Sequence, residues 1–148
     1  MNTGGQPVGL RQRSPVADFR RCERTFGTSQ GSPYRRLEFA LATRNPTIAL
    51  SAAADLPRVR VQDALALTLL LRDVDPARCE RAALRLEQLL VRELRLSLTE
   101  AQLALASLVA LGGSDAAAGA GALLGLLEVR GERRPAEVLE AWRALASS

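Results

Sequence analysis

The 148-residue chain contains no histidine and no lysine, so all 20 of its basic residues are arginine. The commonest general base and metal ligand is missing, and with it the usual Ser–His–acid, Cys–His and His-containing zinc arrangements. Aromatic residues make up 3% of the chain, too few to interleave with arginines and stack bases as single-strand binders do. The two cysteines, Cys22 and Cys79, stand in no CxxC spacing, which excludes a disulfide framework and a thiolate zinc site. Long apolar runs are lacking as well. The segments 64–71, 103–111 and 116–127 are each far shorter than the roughly 18 residues of a membrane span. The last two are separated by Gly112, Gly113, Ser114 and Asp115, which hydrocarbon would not accept. They read as buried helices, and no membrane partner is expected. Met1–Gly9 has no apolar run of the secretory kind, so the expected compartment is the cytoplasm.

What the chain does have is ordinary globular material, with 47% hydrophobic and 24% charged residues. At this length one core can hide most of the apolar surface without a metal or a disulfide. Residues 1–31 are different. They mix Gly, Pro, Ser, Thr, Gln and Arg with scattered apolar positions, a composition that gathers too little apolar area to offset ordering. They are expected to be a disordered tail or the product of a start codon placed too far upstream, leaving one domain over 32–148. The tail also holds most of the charge. Five Arg against Asp18 and Glu23 leave it at +3, whereas 15 Arg and 14 acids leave the remainder at +1.

From residue 32 onward, helix punctuation is regular. Ser32-Pro33, Asn45-Pro46 and Asp75-Pro76 each put a capping residue before a proline whose missing N–H does no harm in a first turn. Ser97-Leu98-Thr99-Glu100 has the capping-box spacing. Ser114 is expected to cap the helix that begins at Asp115, Pro135 to sit in the first turn of the last helix, and Gly112 and Gly131 to provide left-handed stops. Pro57 breaks the chain before Val61. The segments so defined are 33–43, 46–55, 60–73, 76–95, 98–111, 115–129 and 135–146. Ala, Leu, Arg and Glu dominate them, and no period-two alternation competes. The predicted class is all-α: about seven short antiparallel helices in a compact bundle or a short stack of helical hairpins.

The stretch Arg44-Asn45-Pro46 through Ala52-Ala53-Ala54-Asp55-Leu56-Pro57, with Asp63-Ala64-Leu65-Ala66-Leu67 and Asp75-Pro76, resembles small all-helical proteins common in high-GC bacteria. The likeness runs over about residues 34–111. It implies a helical fold and a cytoplasmic setting, and carries no activity, cofactor or site residue with it.

Two features bear on function. On helix 76–95, Arg78, Arg81, Arg85, Gln88, Arg92 and Arg95 recur at steps of three and four, one continuous stripe opposite Ala82, Ala83, Leu86, Leu89, Leu90 and Leu94. The stripe is either a solvated face partly neutralised by Glu80, Glu87 and Glu93, or a row of planar forks for phosphate or carboxylate. Helices 98–111 and 115–129 have almost no polar face, so apolar area at Leu105, Leu108, Leu123, Leu124 and Leu127 is either buried or offered to a partner. Ala117, Gly121 and Gly125, four apart, would let another helix approach closely. Gly119-Ala120-Gly121 has the wrong spacing and no preceding strand for a nucleotide loop.

No enzyme is expected, since Asp63, Asp73, Asp75, Glu100 and Cys79 each have a plainer structural role and Cys79 has no His or Lys to activate it. Thr68 is expected to bond a preceding carbonyl and the Trp142 indole N–H to reach a carbonyl. The leading expectation is a non-catalytic module that holds a protein partner or its own copy through apolar helix faces or a groove between hairpins. The alternative is an accessory binder of nucleic acid or an acidic partner through the Arg stripe. No cofactor and no metal are expected.

Overall fold

Three helix starts follow directly from side-chain caps. Ser32 Oγ accepts from the Arg35 amide at 3.3 Å and Asn45 Oδ1 from the Ile48 amide at 3.1 Å. Ser97 Oγ accepts from the Glu100 amide at 3.3 Å, and the Ser97 amide donates back to Glu100 Oε2 at 2.8 Å. Each bond satisfies an amide that the first turn leaves without a helical acceptor. The computed structural model describes residues 31–148. Among them are seven helices and no strand: α1 Pro33–Ala42, α2 Pro46–Ala54, α3 Val61–Val74, α4 Pro76–Leu94, α5 Leu98–Gly112, α6 Ala116–Val129 and α7 Arg133–Ala146. The fold is all-α, as composition and punctuation predict. The tail expectation and Cys22 fall outside the described residues, apart from Gly31.

Some punctuation works differently from the sequence reading. Ser114 caps nothing: the residue before α6 is Asp115, which makes no side-chain cap bond. Asp75 likewise makes none, because with φ −147° and ψ 71° it serves at once as the end of α3 and the start of α4. Pro135 sits in the first turn of α7 as expected, although the helix begins two residues earlier, at Arg133, than the segment 135–146. Gly112 is the last residue of α5 rather than a left-handed stop, and an extended Gly113 follows it.

The left-handed helix ends are at Gly131 (φ 73°) and, unexpectedly, at Arg44 (φ 55°) and Arg95 (φ 50°). All three close the same type of helix end. Asn45, Leu96 and Glu132 donate back to the Ala40, Val91 and Leu127 carbonyls at 2.9, 3.2 and 2.9 Å. Without glycine, each of the two arginines holds this conformation at a cost of about 1–2 kcal/mol.

Helix α3 has no polar face and is covered on both sides. Val61, Leu65 and Leu69 enter a core shared with Leu86 and Leu90 of α4, Leu108 of α5, Leu123 and Leu127 of α6 and Leu139 of α7. Leu67, Leu70 and Leu71 enter a second core with Leu37 and Ala40 of α1, Ala49 and Ala52 of α2, and Leu56. Thr68, buried between them, donates to the Ala64 carbonyl at 2.8 Å as expected. Helix α7 packs on both α6 and α3, which closes the array into a bundle; a linear stack of hairpins would leave α7 far from α3.

A polar fastening secures that closure. The Trp142 indole N–H donates to Asp73 Oδ2 at 3.2 Å, a carboxylate rather than the expected carbonyl. Arg44 Nη2 reaches the same oxygen at 3.3 Å. The Arg72 guanidinium lies 5.2 Å from the Trp142 ring centroid, donates to Asp73 Oδ1 at 3.0 Å and to the Leu111 carbonyl at 2.6 Å. The Asp73 carboxylate and the Arg72 guanidinium thus tie the α1–α2 connection, α3, α5 and α7 together.

A second fastening sits at the other end of α3. There Arg60 grips the buried Asp63 at 2.5 and 3.1 Å and stacks 4.4 Å from the Tyr34 ring centroid. The Tyr34 hydroxyl donates to the Arg58 carbonyl at 2.7 Å.

Helices α5 and α6 meet at Gly119, not along Ala117, Gly121 and Gly125. A Cβ at Gly119 would lie 2.5 Å from the Ser107 carbonyl oxygen and 2.6 Å from the Leu111 nitrogen, whereas Gly121 and Gly125 face open space. Opposite signs follow for one substitution. Gly121→Ala raises stability by about 0.5–1 kcal/mol through helix propensity, and Gly119→Ala lowers it by about 1–3 kcal/mol because backbone must move. Urea melts of the two variants check this.

Candidate docking groove

Helix α4 buries Leu86, Leu89, Leu90 and Leu94, and that choice of inward face dictates where its arginines go. Arg78, Arg81, Arg85, Gln88 and Arg92 form one wall of a groove of about 480 Å³. Leu50, Ala53 and Ala54 of α2 form the opposite wall, and the partly exposed Val59 and Ala64 the floor, with the buried Leu67, Thr68 and Leu71 of α3 beneath it; Ala77, Ala82 and Leu89 of α4 complete it. The groove exists because α2 and α4 both pack on α3 with little direct contact between them. Arg95 does not join this wall, because its left-handed backbone ends the helix there.

The acids expected to neutralise the stripe are only partly available to it. Glu93 is held by Arg58 and also lies 3.4 Å from Arg92. Glu80 lines a different groove on the other flank of α4. Arg78 pairs with Asp75 at 3.4 Å. Arg81 and Arg85, one helical turn apart at the centre of the wall, have no acidic partner among the described residues. The stripe is therefore a cationic edge over an apolar floor. This juxtaposition is invisible in the helix's own sequence, since the floor comes from residues 50–71.

The expected apolar interface is corrected. Leu108, Leu123, Leu124 and Leu127 are core residues, 9% exposed or less. Helices α5 and α6 bury them against each other and against α3, α4 and α7. Leu105 alone of the five stays at the surface, 44% exposed. It lines a second groove of about 320 Å³ with Pro76, Ala83, Leu84, Leu108 and Val109, rimmed by Arg72 and Glu80. The exposed large apolar side chains the reading missed are Leu84 and Val109 here, Phe39, Ile48 and Leu103 elsewhere on the helices, and Val74, Leu98, Val129 and Leu145 at helix ends. None carries a periodic signal that separates it from its buried neighbours.

Every carboxylate weighed as a chemical group has a guanidinium against it: Asp63 with Arg60, Asp73 with Arg44 and Arg72, Asp75 with Arg78, and Glu100 with Arg130. Burial pushes the half-buried Cys79 thiol up from its ordinary pKa, so it is a poor nucleophile at neutral pH; its Sγ lies 3.8 Å from the Thr68 carbonyl oxygen. No group of three or more His, Cys, Asp or Glu among the described residues is arranged to hold a metal ion, and no described helix is long and apolar enough to cross a membrane. No protein-family model matches the sequence, and comparison with curated proteins and with solved structures gives no significant match.

Glu100, away from the groove, provides a pH test of the α5–α6 end of the fold. The Arg130 fork, with Nε at 2.9 Å from Oε1, and the Ser97 amide hold the Glu100 carboxyl down from 4.5 to about 2. A folded pKa below the unfolded one gives stability that is present above about pH 4.5 and lost as pH falls towards 2. The difference in Tm between the wild type and Glu100→Gln is thus constant from neutral pH to about 5 and shrinks to nothing near 2. Thermal melts across that range are the check.

Proposed function

We propose that this protein is a non-catalytic helical interaction module that docks a segment of another protein in the groove between α2–α3 and α4. The observation that carries the reading is the combination of an apolar floor with a row of forked cations along one edge. An apolar cleft bordered by a few oriented polar groups is the general form of a docking site. The guanidinium edge supplies orientation and steering, while the floor supplies the area removed from water.

Nucleic acid is the second reading, favoured by Arg81 and Arg85 having no acidic partner among the described residues. Two observations weigh against it. Phosphate contacts would leave the partly exposed Leu50, Val59 and Ala64 unused, and no aromatic side chain lines the groove to stack a base.

Photo-crosslinking inside the source cells tests the choice. A photoreactive residue at Ala53 or at Arg85 is expected to give protein adducts that the same residue at Ser147, outside the groove, does not. Equal adducts at all three positions, or none, contradict the proposal. Nucleic-acid adducts at Arg85 support the second reading.

A further inference from the structure

We infer that the groove's occupant is an acidic amphipathic α-helix of about four turns, docked along α4 with its carboxylates on the Arg78–Arg92 edge and its apolar stripe on the floor. The inference rests on the docking role proposed above and goes further in fixing the chemistry of the partner.

Backbone accounting selects a helix. The groove is walled by α2, α3 and α4, whose main-chain groups are largely engaged within their own helices, and it presents no strand edge. An extended peptide pressed onto this floor would lose water from amides and carbonyls that find no partner there. A helix satisfies its own backbone and needs only side-chain complementarity. Length follows from the wall. Arg78 to Arg92 spans about 21 Å at 1.5 Å per residue, which a partner helix of roughly 14–15 residues matches.

Charge selects acidic residues. Arg81 and Arg85 sit one turn apart, so carboxylates at i and i+4 of a neighbouring helix, with a further one at i+7, can each meet a guanidinium fork. The same charge weighs against residues 1–31 of the chain itself as the occupant. Their five arginines against two acids would be set beside a cationic edge, and like charges in contact are disfavoured. A nucleic-acid backbone satisfies the arginines and leaves the floor wet. Only an occupant that is anionic along one edge and apolar along the next satisfies both halves.

The test is a displayed library of helices about 18 residues long, with a fixed Leu/Ala stripe and Glu, Gln or Lys at random beside it, selected on the full chain. Glu is expected to be enriched at i, i+4 and i+7 on one side of the stripe. The purified best helix is then expected to lose about tenfold in affinity to Arg81→Glu/Arg85→Glu, with a smaller loss for Arg81→Gln/Arg85→Gln, and to weaken with salt. Circular dichroism of both variants verifies that they remain folded.

Enrichment of Gln or Lys helices whose binding is abolished by Leu50→Glu would overturn the charge assignment while leaving the docking groove standing. If no helix is enriched and a random-sequence DNA duplex binds through the same two arginines, the inference and the docking reading fail together.

Discussion

The burial of the α3 leucines on two opposite faces is the constraint from which the remaining architecture follows. A helix carrying Leu65, Leu67, Leu69, Leu70 and Leu71 within seven residues cannot turn one face to water. Each buried leucine contributes about 1.5–3 kcal/mol relative to exposure, and collecting that on both faces requires two layers. The hairpin α1–α2 supplies one, and α4 to α7 supply the other. The first layer is short, with α2 only nine residues long and four of them alanine. It buries the leucines but leaves Ala64 of α3 and the neighbouring Val59 partly exposed between α2 and α4, and these form the floor of the groove. The candidate site is thus the remainder of an incomplete covering rather than a separate construction.

An arginine-only basic complement suits such a bundle. Arg72 stacks on Trp142, bonds Asp73 and reaches the Leu111 carbonyl in the same geometry, which a point-charge ammonium could not do with equal order. Arg60 does the same between Tyr34 and Asp63. These forks hold the helix ends where hydrophobic contact is thin, and they occupy the carboxylates that would otherwise be candidates for chemistry. Arg81 and Arg85, like Arg35, Arg95, Arg133, Arg134 and Arg143, are outside this pattern among the described residues, and they differ from those five in lining the groove.

Much of the fold was legible because caps and breaks act locally. Ser32, Asn45 and the Ser97–Glu100 box mark their helices through bonds within three residues, and the α4 stripe follows from the periodicity of one helix. The misreadings share a different cause. Whether Leu108 or Leu105 faces out depends on where α4 and α6 lie, whether Gly119 or Gly121 meets α5 depends on the crossing point, and Trp142 finds Asp73 across 69 positions of chain. None of these is written in local spacing. The left-handed Arg44 and Arg95 were hidden for another reason, since the residue type that normally announces that conformation is absent there. The candidate site was half visible: its cationic edge was read from α4 alone, while its floor required the placement of α2 and α3.

Native-state hydrogen exchange measures the central claim most directly, by ranking the local opening free energies of all helices in one experiment. If α3 is the element on which both layers depend, the amides from Leu65 to Leu71 exchange last and only through global unfolding, with α1–α2 opening earlier as the thinner layer. Exchange of those α3 amides ahead of α5 and α6 would contradict the account and move the organising centre of the bundle elsewhere.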